Sequence, residues 1–111
     1  MITKKIGKIQ KAECGHGGYQ DAMIGFSFDL GSDKDGWGVG DFWGYWSIER
    51  SESTKWTEND RIKALGEVVM KFAELLEKAK VDSIDKLEGK PVEVIFDGQT
   101  LKNWRILEEA L

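Results

Sequence analysis

Ile62, Leu65, Val69, Phe72, Leu76 and Ala79 recur at alternating spacings of three and four, and Val68 and Leu75 widen the stripe they form. That period commits the segment to one long amphipathic helix with a core-facing side. Thr57 opens it as N-cap, Asp60 follows three residues on, and the acids of the first turn suit the helix dipole. Glu67 with Lys71, and Glu74 with Lys78, stand at i,i+4 on the outer side in the favourable order. A stripe this short belongs to a helix packed on a sheet rather than to a coiled coil.

The remaining patterning has period two. From Ile2 to Ala12 the spacing of Ile2, Ile6 and Ile9 around Gly7 predicts a first strand with a bend or bulge. Ala22, Ile24, Phe26, Phe28 and Leu30 then alternate with Met23, Gly25, Ser27 and Asp29, as in a half-buried strand. The turn from Gly31 to Gly36 delivers a third extended stretch, Trp37 to about Ile48, so the two form a hairpin. After the helix, a short helical turn over Ser83 to Leu87 closes at Gly89, and Pro91 starts a fourth strand where its missing N–H is tolerated. A two-residue Asp97-Gly98 turn pairs Phe96 with Gln99, Val94 with Leu101 and Glu93 with Lys102, and places Trp104 and Ile106 on the face of Ile95. The expectation is one α+β domain over 1–111, with a mostly antiparallel sheet of about five strands (β-β-β-α-β-β) and the helix on one face.

Composition limits function. The 111 residues suffice for a single core without metal or disulfide staples. No apolar run approaches the roughly 20 residues of a bilayer span, and no secretory pattern follows the N-terminal lysines, so a cytoplasmic protein is expected. The single cysteine, Cys14, fits a reducing compartment and reads as a small buried apolar side chain. Residues 1–11 carry four lysines and no acid, residues 12–60 ten acids against three bases, and the remainder ten against nine. A pI near 5.0 speaks against extended phosphate contacts. The N-terminal lysines instead read as a solvated edge strand.

Nine of the 13 glycines fall between positions 15 and 46, interleaved with eight aromatic residues. In an extended third strand Gly38, Gly40 and Gly44 share one face, while Trp37, Val39, Asp41, Trp43 and Tyr45 share the other. A bare face within a strand calls for a bulge, a close backbone approach, or a flat ligand stacked on aromatics. The stretch Cys14 to Asp21 reads as a glycine loop whose amides suit an anion, with His16, Tyr19 and Gln20 beside Gly17 and Gly18. It has neither the GxGxxG spacing nor a P-loop ending. Cys14 and His16 have no identifiable orienting partner for nucleophilic catalysis, the chain offers only one of each soft zinc ligand, and Asp29, Asp33 and Asp35 do not match a calcium loop. The chain therefore reads as a binding protein without catalysis or cofactor.

The blocks Gly15-His16-Gly17-Gly18-Tyr19-Gln20-Asp21-Ala22, Gly36-Trp37-Gly38-Val39-Gly40-Asp41-Phe42, Trp56-Thr57-Glu58, Gly89-Lys90-Pro91-Val92-Glu93-Val94 and Trp104-Arg105-Ile106-Leu107 together resemble small uncharacterised proteins of tailed phages and their prophages. The resemblance covers nearly the whole chain and transfers no catalytic residues. It implies a phage or prophage setting. With the Gly-aromatic region and the absent catalytic set, the expectation is an accessory protein that counters host defence by stoichiometric binding, capturing a nucleotide signal or blocking a host immune protein such as a CRISPR effector. The residues expected to bind are His16, Gly17, Gly18, Tyr19, Gln20, Asp41, Trp43, Trp46 and Arg50. Single-stranded nucleic-acid binding through the basic N-terminal strand is the alternative. A two-fold homodimer is expected to cover the glycine-rich strand, whose aromatics otherwise leave an apolar patch.

Overall fold

Strand β1, Ile2–Gly17, is the longest element of the sheet and organises everything else. In the computed structural model, which describes residues 1–47 and 57–111, it is followed by β2 (Met23–Ser32), β3 (Trp37–Trp46), helix α1 (Glu58–Ala79), β4 (Pro91–Asp97) and β5 (Thr100–Ile106). All neighbours are antiparallel, in the order β3-β2-β1-β4-β5. The expected α+β sheet with one long helix is therefore observed.

The lysine-bearing first strand is the central strand, not an edge. Its C-terminal part, from Lys8, pairs with β2, while Ile2 to Lys8 pairs with β4. The two hairpins thus overlap on β1 only at Lys8, and a register shift between Ile9 and Lys11 follows within the part paired with β2. Bulges of this kind bend a strand and increase its twist. The long first strand also takes in Cys14 to Gly17, which the sequence assigned to a loop, and leaves Cys14 exposed rather than buried.

The core lies on the helix side of the sheet. Ile9, Phe28, Leu30, Val92, Val94 and Leu87 are fully enclosed there, with Trp104 and Ile106 beside them. At the far end of this face the Trp37 ring reaches across Gly7, where a Cβ would lie 2.8 Å from it, and meets Phe96 edge-on at 5.8 Å. Lys5 caps the pair, its ammonium 5.6 and 5.4 Å from the two ring centroids. That contact lays one of the N-terminal lysines over the rings while it remains exposed to solvent.

The C-terminal hairpin differs in register from the expectation. Gly98 adopts φ 64° and stands with Gln99 at the turn, so Asp97 faces Thr100 and Phe96 faces Leu101. A shift between Ile95 and Phe96 then sets Ile95 opposite Asn103 and leaves Lys102 as the extra residue. Trp104 consequently pairs with Val94 and joins the core face instead of the face of Ile95. Glu93 still finds an opposite charge, Arg105 at 3.2 Å in place of Lys102.

Thr57 and Asp60 cap α1 reciprocally, each side chain accepting from the other's backbone N–H at 3.1 Å. The helix docks through its second half: Phe72 stacks on Phe26 at 3.9 Å with 5° between planes, and Leu75 and Ala79 are buried. Ile62 and Val69 belong to the predicted core stripe but remain exposed, because they lie on the flank of the helix turned away from the side that carries Leu65, Phe72, Leu75 and Ala79. Neither outer i,i+4 ion pair forms among the described residues; Lys71 turns toward the sheet instead.

Candidate functional site

β3 and β5 are opposite edges of the sheet, yet their side chains meet. Asp41 on β3 accepts hydrogen bonds at one carboxylate oxygen from the indole N–H of Trp43, at 2.9 Å, and of Trp104 on β5, at 2.7 Å. Its other oxygen accepts from the Phe42 backbone N–H at 2.9 Å. Indole is a donor only, so each ring needs an acceptor once it leaves water, and a single carboxylate serves both. The rings stack with centroids 5.3 Å apart and planes 21° from parallel, above Phe28, which lies 4.8 and 5.2 Å from them.

A cleft of about 390 Å³ opens where β3, β5 and α1 converge around these rings. Leu75, Leu101 and Ile106 give it apolar walls, while Lys71, Lys78, Lys102 and Arg105 bring four cations to it against Asp41 and Glu74. This reverses the sign of a chain whose formal net charge is -4. The Lys71 ammonium sits 4.1 Å from the Trp43 centroid, and Arg105 is oriented by Glu93 at 3.2 Å and Glu109 at 3.1 Å. Those two carboxylates, Glu109 foremost, raise the Arg105 pKa further. The faces of Trp43 are taken by Lys71 and Trp104, so a ligand here meets cations and ring edges rather than an open indole face.

Eight of the nine residues expected to bind fall in two places. His16 and Gly17 end β1, Gly18 turns the chain at φ 68°, and Tyr19 with Gln20 begins a short 3-10 turn, Tyr19–Asp21, in which Gln20 and Asp21 are left-handed. Tyr19 is 68 % exposed and stands edge-on to Trp46, centroids 6.4 Å apart. Arg61 donates to the Trp46 carbonyl oxygen at 3.5 Å. These residues form a tip at one end of the β1–β2–β3 half-sheet, whereas Asp41 and Trp43 line the cleft on the helix side. Arg50 lies outside the described residues.

The bare strand face has an occupant of its own. Phe42 lies across it, so near that a Cβ on Gly44 would stand 2.4 Å from the ring and one on Gly17 would stand 2.9 Å away. The flat group seated on glycine backbone is a side chain of the same chain. Sequence reading missed Trp104, Lys71, Lys78 and Lys102 as neighbours of Asp41; the one available signal was an acid within an aromatic strand, positioned to accept from indole.

Among the described residues no cluster of three or more His, Cys, Asp or Glu side chains is placed to hold a metal ion, and no helix is long and apolar enough to cross a membrane. Comparison with protein-family models, curated proteins and solved structures finds no match.

Proposed function

We propose that this chain is a non-catalytic binding protein that captures a small phosphorylated ligand of the nucleotide class in the β3–β5–α1 cleft. The observation that carries this reading is the gathering of Lys71, Lys78, Lys102 and Arg105 around one apolar-walled cleft in an otherwise acidic protein. Ligand sites of a few hundred Å³ are characteristically concave and apolar with a few convergent polar groups. Lysine ammoniums and an oriented guanidinium match phosphate oxygens, and the surrounding ring edges and Leu101 suit the flat part of a nucleotide. Together with the resemblance to phage proteins, this supports sequestration of a nucleotide signal in the host cytoplasm as a counter-defence.

Titration calorimetry against linear and cyclic nucleotides, with inorganic phosphate as control, tests it. Binding should appear with at least one nucleotide and weaken by about tenfold or more in Lys78→Ala/Lys102→Ala. The absence of heat across the panel removes nucleotide capture and leaves the blocking of a host protein, for which Tyr19, Trp46 and Arg61 at the tip have the residue types that dominate protein interfaces.

Single-stranded nucleic-acid binding draws support from a different face. By strand alternation Lys4, Lys8, Phe42 and Trp46 project from the side of the sheet opposite α1. Such a complex should weaken steeply with salt, and oligonucleotides that show no gel shift at low salt would exclude it.

A further inference from the structure

The outward side of α1 is apolar where solvent would meet it. Ile62, Val69 and Met70 remain 60, 57 and 70 % exposed, and exposed Gly66 and Ala73 complete a stripe at i, i+4, i+7, i+8 and i+11. An open groove of about 1000 Å³ runs along Gly66, Val69 and Met70. Open space surrounds the position that a Cβ on Gly66 would take. Nothing among the described residues therefore compensates for the helix stability that a mid-helix glycine forfeits. A glycine in such a stripe lets a second helix approach closely.

The rim of the stripe identifies that helix. Lys63, Glu67, Lys71 and Glu74 follow one another along it, two of each sign. We infer that α1 is the two-fold contact of a homodimer, with the two helices antiparallel about an axis between Val69 and Met70. In that register Val69 of one copy meets Met70 of the other, and Gly66 meets Ala73. The same axis sets rim against rim, Lys63 beside Glu74, a pair formed twice, while the Lys71 ammonium stays over Trp43 in the cleft. A partner of single charge sign would repel either Lys63 or Glu74, whereas a reversed copy of the same helix matches both, twice over. The contact lies on the helix rather than on the glycine-rich strand, and it brings each copy to the side of the cleft formed by Lys71 and Glu74.

Light scattering coupled to size exclusion on the full chain should report twice 12.6 kDa. Val69→Glu/Met70→Glu should give the monomer while circular dichroism keeps its helical and strand signal, since neither side chain supports the core. Lys63→Glu alone and Glu74→Lys alone should each weaken dimerisation by about tenfold or more, and the two together should restore it. A monomer at every concentration, a dimer that survives the Val69→Glu/Met70→Glu change, or paired swaps that fail to restore association would each overturn the inference.

Discussion

The carboxylate of Asp41 and the indole N–H of Trp104 stand 2.7 Å apart although their strands are the two outermost of a five-stranded sheet. The contact makes the curl of the sheet a matter of specific chemistry as well as twist. Asp41→Ala leaves the Trp104 donor unpaired in a residue only 7 % exposed, and orphaned buried donors cost about 1 to 3 kcal/mol each. Urea denaturation should show a loss of that order, with Asp41→Asn, which keeps one acceptor oxygen, losing less. An Asp41→Ala protein as stable as the parent would mean that the edges are held together by packing alone.

Two glycines that look alike in sequence should behave in opposite ways. Gly17 lies under the Phe42 ring, so Gly17→Ala forces the ring aside, at about 1 kcal/mol or more, and most of that penalty should disappear when Phe42 is also replaced by alanine. A Cβ on Gly38 meets nothing closer than the Leu30 carbonyl oxygen at 3.7 Å. Gly38→Ala should therefore be neutral or stabilising by roughly 0.5 to 1 kcal/mol. Equal destabilisation at both sites would refute the seating of Phe42.

The start of α1 carries a pH dependence of known sign. Bonds from the Thr57 backbone and side chain hold the Asp60 pKa below its ordinary 3.8, so the folded state prefers the carboxylate. The stability this confers is present above 3.8 and is lost as pH falls through the depressed folded value. Asp60→Asn should flatten the acid limb of the stability profile without altering the plateau near neutrality in shape. An identical acid limb in parent and variant would show that the capping box does not form in solution.

Much of this architecture was legible because burial imposes periodicity. The alternation through Phe26, Phe28 and Leu30 and the helical spacing through Phe72, Leu76 and Ala79 located β2 and α1 closely. The hairpin register escaped because two-residue turns beginning at Asp97 or at Gly98 both give sensible pairs. Only the shift beside Phe96, which swings Trp104 into the core, distinguishes them. The cleft escaped for a different reason. Asp41, Lys71 and Trp104 are far apart in sequence and come together only through the curl of the sheet, which no local pattern encodes.

The division of β1 between two hairpins also governs the order of events in synthesis. Its C-terminal half can pair with β2 soon after translation, but Ile2 to Lys8 must wait for β4, which follows the whole of α1. Non-local pairing of this kind is slow and leaves an unpaired strand open to other chains. Lys4, Lys5 and Lys8 fall within the waiting segment. Charge repulsion there discourages intermolecular pairing in the nascent chain. The lysines that become part of a central strand thus act as gatekeepers during the interval before the C-terminal hairpin arrives.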